Sequence, residues 1–88
     1  DLVRGLVVGL AREVARELNV PSGEKQCRHA AWMIASAGFG CTYESIAKAE
    51  NLTRQSVHEA VQRLIDRCDD RDLERSLERV AESFGVGL

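Results

Sequence analysis

The stretch Thr42–Leu64, TYESIAKAENLTRQSVHEAVQRL, decides the fold of this 88-residue chain. Two helices joined by a turn of about three or four residues need a small residue where they cross, and Ala47 supplies it. They also need a turn residue that tolerates positive φ, for which Asn51 is suitable. An apolar residue just after the turn is expected to be buried in the core, and Leu52 stands there. The stretch therefore predicts a helix-turn-helix over about residues 42–67.

Both helices of this pair have clear start signals. Thr42 and Thr53 are suitable N-caps, so we expect helices over about residues 43–50 and 54–68. Glu50 stands where helix-turn-helix motifs usually bury an apolar residue, which predicts either an altered turn register or altered packing of the first helix. The helix over residues 54–68 is expected to bury its apolar side chains, namely Val57, Ala60, Val61, Leu64 and Ile65.

Outside this pair, apolar residues also recur at three and four positions without β-branched alternation, which is typical of an all-α fold. The first helix is predicted over about residues 2–18, and the second from an N-cap at Ser22 to about Ala37. A C-terminal helix is predicted over about residues 70–84. We therefore expect one domain, residues 1–88, built as a small bundle of about five helices.

The predicted C-terminal helix has two different faces. One face is an apolar stripe of Leu73, Leu77, Val80, Ala81 and Phe84. This stripe either covers the first helix of the same chain or pairs with another chain. The opposite face carries arginine and glutamate three residues apart, which indicates solvated ion pairs: Arg71–Glu74, Arg75–Glu78 and Arg79–Glu82.

The net charge of −2, from 12 basic and 14 acidic side chains, is unevenly distributed. Residues 1–22 are neutral, residues 23–64 carry a net +1 and residues 65–88 a net −3. This excludes a uniformly basic, histone-like protein, but it leaves the middle segment available to an anionic partner. Because no apolar run is long enough to span a bilayer, no membrane partner is expected.

The three cysteines, Cys27, Cys41 and Cys68, are widely spaced and form no Cys-x-x-Cys pair. Such spacing is typical of free thiols in a reducing compartment, so a cytoplasmic location is expected. Cys27 and His29 are two residues apart, and such residues point to different sides of a helix. We therefore expect no metal site and no cofactor.

The second helix of the pair leaves a polar outer face that suits DNA. Arginine pairs with guanine and glutamine with adenine in the major groove, while hydroxyls at a helix N-terminus donate to phosphate. The predicted base contacts are Arg54, Gln55, His58 and Gln62. The predicted phosphate contacts in this region are Lys48, Thr53, Ser56 and Arg63.

Two segments, CRHAAWMIAS (residues 27–36) and YESIAKAENLTRQSVHEAVQRLIDR (residues 43–67), resemble the C-terminal DNA-binding domain of the bacterial replication initiator DnaA. The matching positions are Arg28, Ala31, Ile46, Val57 and Ala60. The resemblance spans about residues 11–67 and implies a Trp-repressor-like fold, binding to double-stranded DNA, and phosphate contacts by Lys25 and Arg28. The family's Asp-His signature is absent, so its origin sequence preference is not implied.

The sequence fits two classes of function and does not favour a third. The leading one is a sequence-specific double-stranded DNA-binding module of a DnaA-like regulator or phage-type protein, associated with the nucleoid. The alternative is a protein-interaction or oligomerisation module that uses the C-terminal helix. Examples are the DNA-recognition part of a phage packaging (small-terminase-like) subunit and an adaptor similar to sigma-factor region four, which shares much of residues 42–64. An enzyme is not expected, because the sequence has no Gly-rich phosphate loop, paired carboxylates or workable Cys–His dyad.

Overall fold

The computed structural model describes every residue from Asp1 to Leu88. It contains five helices and no strand: α1 (Leu2–Leu18), α2 (Lys25–Phe39), α3 (Tyr43–Glu50), α4 (Arg54–Arg67) and α5 (Arg71–Ser83). They form a body of 30 × 24 × 24 Å. The predicted all-α bundle of about five helices is confirmed. None of the helices has the length and apolar character needed to cross a bilayer.

The predicted N-caps and turn residue of the α3–α4 pair are confirmed. Thr42 Oγ1 accepts a hydrogen bond from the N–H of Ser45 over 3.0 Å, and Thr53 Oγ1 accepts one from the N–H of Ser56 over 3.1 Å. Asn51 ends α3 in the left-handed conformation, with φ of 57°. Short-range signals therefore set the end of one helix and the start of the next.

The start of α2 differs from the prediction, because Ser22 is not its N-cap. Glu24 takes that position, with an extended backbone and no side-chain cap hydrogen bond. The N–H of Glu24 donates to the carbonyl of Pro21 over 3.2 Å, so Ser22 and Gly23 form the middle of a tight turn. The helix therefore begins only at Lys25, beyond the reach of the Ser22 hydroxyl.

The end of α2 also lies further along the chain than predicted, at Phe39 rather than about Ala37. Gly40 then closes the helix in the left-handed conformation, with φ of 74°. Gly38 lies inside the helix, and a Cβ at this position would be 2.8 Å from Val86 Cγ2. The missing side chain of Gly38 thus allows the C-terminal tail to pack against α2.

The core is one apolar cluster centred on α2, which packs against the other four helices. Small side chains on α2 allow these close approaches. Its fully buried residues are Cys27, Ala30, Ala31, Ile34 and Ala35. α4 buries four of the five apolar residues predicted for it, namely Val57, Ala60, Val61 and Leu64. The α3–α4 pair is therefore held by the same core as the rest of the domain.

The apolar stripe of α5 is used within the chain. α5 packs against α1 and α2 and buries three residues of the stripe, Leu77, Val80 and Ala81. The ion pairs predicted along its outer face do not form: Arg71–Glu74, Arg75–Glu78 and Arg79–Glu82. Arg79 instead pairs with Glu17 on α1. An exposed ion pair within one helix contributes little to stability, so an ion pair between two helices can replace it without appreciable loss of stability.

Two apolar residues of the α3–α4 pair are not buried as predicted, since Leu52 and Ile65 are 44% and 43% exposed. The N–H of Leu52 donates to the carbonyl of Ala47 over 2.8 Å, which closes α3 through the backbone and leaves the side chain outside the core. Ile65 directly follows the buried Leu64, and one residue rotates the helix by about 100° towards solvent.

The cysteines are all free, as the sequence predicts. Cys27 is buried in the core, whereas Cys41 and Cys68 are half-buried. Burial, and then the negative charge of Glu24, raise the pKa of the Cys27 thiol, so this side chain behaves as an apolar core residue.

Candidate nucleic-acid interface

The two helices α3 and α4 pack against each other across the residues Asn51–Thr53. Ile46 and Ala47 lie on the buried face of α3, and Val57 and Ala60 on that of α4. With one face of α4 buried in this way, its opposite face and its N-terminus are exposed. All four predicted base contacts lie on the exposed part: Arg54, Gln55, His58 and Gln62.

Three of these four residues share one shallow groove on α4. The groove has a volume of about 480 Å³ and is lined by Gln55, His58, Glu59, Gln62, Arg63 and Asp66. Arg54, the first residue of the helix, does not line it. Within the groove, Gln55 Nε2 donates a hydrogen bond to Glu59 Oε1 over 3.1 Å. A base contacted by Gln55 must therefore compete with this internal bond.

The start of α4 carries two hydroxyls that are hydrogen-bonded to each other. Thr53 Oγ1 and Ser56 Oγ lie 2.8 Å apart, and either hydroxyl can be the donor. Whichever one donates, the other keeps a proton that it can give to a phosphate oxygen. Together with the free N–H groups of the first helical turn, the pair suits an anion.

An aromatic neighbour positions His58 on this face. The rings of Tyr43 and His58 have centroids 5.5 Å apart and are tilted by 43°. Tyr43 is the first residue of α3 and is half-buried, so its ring restricts the orientations open to the imidazole. Sequence reasoning missed Tyr43, because no local spacing indicates a pairing between residues on two different helices.

The groove on α4 also contains more negative charge than the sequence prediction considered. Glu59 and Asp66 line it, whereas Arg63 is its only permanent cation. A DNA backbone would therefore meet a slightly repulsive field along the middle of α4. Attraction must come from cations beside the groove.

Such cations gather in a cleft between α2 and α4, with a volume of about 420 Å³. It is lined by Lys25, Gln26, His29, Ala60, Arg63, Leu64 and Arg67. Lys25, Arg63 and Arg67 take part in no ion pair, since the chain forms only Arg16–Glu13 and Arg79–Glu17. We refer to this feature as the basic cleft.

Sequence reasoning missed two members of the basic cleft, His29 and Arg67. Their spacing carried a usable signal, because Lys25 and His29 are four residues apart on α2, and Arg63 and Arg67 are four apart on α4. Residues at this spacing lie on one face of a helix. What the spacing could not indicate is that these two faces meet.

The positive charge of the basic cleft affects the pKa of His29. Its pKa lies below the usual value, chiefly because of burial and then because of the positive charges of Arg63, Arg28 and Lys25. The imidazole also packs against the indole of Trp32, with ring centroids 5.1 Å apart. The surroundings therefore disfavour a further positive charge at this place.

The remaining predicted phosphate contacts lie apart from the basic cleft. Arg28 is exposed on the other side of α2, in a cleft of about 420 Å³ that it shares with Arg4 and Arg12 of α1 and with Glu50. Lys48 is exposed on α3. The predicted cations thus surround the α3–α4 pair and do not converge on one point.

No protein-family model, curated protein or solved structure matches the chain significantly. There is also no group of three or more His, Cys, Asp or Glu side chains placed to hold a metal ion.

Proposed function

We propose that this chain is a non-enzymatic module that binds double-stranded DNA sequence-specifically, with α3 and α4 as its helix-turn-helix. The observation that carries the proposal is the exposed face of α4, where a capped N-terminus with two hydroxyls precedes Arg54, Gln55, His58 and Gln62. The resemblance to the DnaA C-terminal domain supports the same function and a location at the nucleoid.

The dimensions of α4 suit the major groove. Its 14 residues extend about 20 Å, whereas the groove is about 12 Å wide. The part of α4 from Arg54 to Gln62 therefore enters the groove while its last turn lies beside the backbone. Arg54 and Gln55 then face guanine and adenine edges, and His58, held by Tyr43, faces a neighbouring base pair.

The cations and hydroxyls around α4 fix the register of the protein on the DNA. The proposed phosphate contacts are Lys25, Arg28, Lys48, Thr53, Ser56 and Arg63. Because the chain has a net charge of −2 and the α4 groove contains Glu59 and Asp66, non-specific attraction is weak. Affinity for the cognate site therefore depends strongly on base contacts.

The proposal is tested by selecting binding sites from random duplexes and measuring the affinity of the selected duplex at two salt concentrations. We expect binding to weaken between about 50 and 200 mM salt, because phosphate contacts release counterions. Arg54→Ala is expected to weaken binding to the selected site by about 1–3 kcal/mol and to leave random DNA little affected. Arg75→Ala on α5 is the matched control. Salt-independent affinity, or no selected site at all, contradicts the proposal.

A second candidate, a protein-interaction or assembly module, is favoured by one observation. Between α4 and α5 lies a mainly apolar groove lined by Met33, Ile65, Cys68, Glu74, Leu77, Glu78 and Leu88. The stripe of α5 that prompted this alternative is covered by α1 and α2, so the candidate now rests on the groove and not on the stripe. Light scattering at about 100 µM distinguishes the candidates, since a concentration-independent monomer argues against assembly.

A further inference from the structure

We infer that the basic cleft between α2 and α4 holds one phosphate group of the DNA backbone, through Lys25, His29, Arg63 and Arg67. This inference rests on the proposed function and adds two residues, His29 and Arg67, to the interface. It also separates two parts of that interface: base edges are contacted between Arg54 and Gln62, and the phosphate is bound from Arg63 onwards.

The first argument is the composition of the cleft. Lys25, Arg63 and Arg67 are cations, and no carboxylate lines the space between them. Each of the other four clefts includes at least one carboxylate: Glu74 and Glu78, Asp70 and Asp72, Glu50, or Glu59 and Asp66. The basic cleft is therefore the one of the five whose own lining combines cations with no carboxylate. Arg63 and Arg67 also line adjoining clefts, which contain Glu59 and Asp66, and Asp70 and Asp72, respectively.

The second argument is that these cations are uncompensated. None of the three forms an ion pair. Burial, and then the charges of Arg63, Arg28 and Lys25, lower the pKa of His29 and so act against its protonation. A bound phosphate removes this mutual repulsion and accepts hydrogen bonds from ammonium and guanidinium groups. The arrangement is thus more favourable with an anion bound than with the cleft filled by water alone.

The third argument is position along α4. Arg63 lies eight residues beyond Gln55, which corresponds to about 12 Å along the helix axis. The major groove is also about 12 Å wide. If α4 crosses the groove obliquely with Gln55 at a base edge, Arg63 and the basic cleft behind it reach the sugar–phosphate wall. Ala60 and Leu64 form the apolar floor of the cleft.

The test compares Arg67→Gln with Arg75→Gln, an equal loss of charge on the outer face of α5. We expect R67Q to weaken binding to selected and random duplexes alike, by roughly five- to tenfold at about 0.1 M salt, and to reduce the slope of log K against log salt by about 0.9. We expect R75Q to stay within about twofold of the wild type with an unchanged slope. Circular dichroism verifies that both variants are folded, and Lys25→Gln provides a second variant with the same expected effect.

A parallel titration with inorganic phosphate, followed by the NMR signals of the His29 imidazole, separates free phosphate from a backbone phosphate. We expect weak, saturable shifts in the wild type that are lost in R67Q. If inorganic phosphate binds as tightly as the duplex, the assignment to a DNA backbone is overturned. If the wild type binds the duplex but R67Q and R75Q have equal salt slopes, the inference about the basic cleft is overturned and the proposed function is not. A wild type that binds no duplex overturns the proposed function and this inference with it.

Discussion

The indole Nε1–H of Trp32 donates a hydrogen bond to Glu50 Oε1 over 3.1 Å, which joins the middle of α2 to the last residue of α3. Trp32 is buried and Glu50 is half-buried, directly before the turn residue Asn51. Glu50 stands where an apolar residue was expected, and the indole provides the donor that a carboxylate needs there. The turn thus keeps its predicted register, and the packing of α3 against α2 is what differs.

This hydrogen bond predicts different outcomes for two substitutions of Glu50. Glu50→Ala leaves the buried indole N–H without an acceptor, so the free energy of unfolding should fall by about 1–2 kcal/mol. Glu50→Gln keeps a carbonyl acceptor and should stay within about 0.5 kcal/mol of the wild type. Urea unfolding followed by Trp32 fluorescence measures both. Equal losses in the two variants would mean that charge, and not this hydrogen bond, stabilises the contact.

Two helical glycines should respond to alanine in opposite directions. A Cβ at Gly5 in α1 meets no atom within 4 Å, so Gly5→Ala should stabilise the protein by about 0.5–1 kcal/mol through helix propensity. At Gly38 the same Cβ would lie 2.8 Å from Val86, and overpacking should outweigh that gain by about 1 kcal/mol. Thermal unfolding measures both variants. Adding Val86→Ala should recover part of the loss in Gly38→Ala, whereas equal stabilisation by both glycine changes would disprove the close contact.

The helix boundaries other than those of α2 could be predicted, because they depend on neighbouring residues. Thr53 and Asn51 act through their own side chain or φ angle within one turn of the chain. Leu52 and Ile65 were predicted wrongly because burial depends on which helix packs on that side, and nothing packs over them. Ser22 was predicted wrongly because a turn competed locally for the same residue.

The candidate site was also predictable where it depends on local sequence, and not where it depends on packing between helices. The exposed face of α4 could be predicted, because the buried stripe of Val57, Ala60 and Leu64 determines which side faces water. The basic cleft could not, since it exists only where α2 and α4 meet, and its members Lys25 and Arg67 are far apart in the chain. The hydrophobic pattern indicates which face is buried but not which two exposed edges become neighbours.

The stability of the domain should depend on pH through His29. Its pKa is lowered in the folded protein, relative to about 6.5 in an unfolded chain, so the unfolded state binds the proton more tightly. The free energy of unfolding should therefore change little near pH 7.5 and decrease as the pH falls below about 6.5. Urea unfolding between about pH 5.5 and 7.5 measures this slope, and His29→Gln should reduce it. An unchanged slope in H29Q would assign the pH dependence to other groups.

The negative charge in the α4 groove should limit the affinity for DNA, if DNA is bound as proposed. Asp66 lines the groove beside Arg63, so Asp66→Asn removes a repulsion from the phosphate backbone. Affinity should rise roughly two- to fivefold at about 0.1 M salt, and equally for selected and random duplexes, because the carboxylate contacts no base. Glu82→Gln on α5 makes the same change in net charge and is the control. Equal gains from both variants would assign the effect to net charge, while a gain on one sequence alone would mean that Asp66 faces a base.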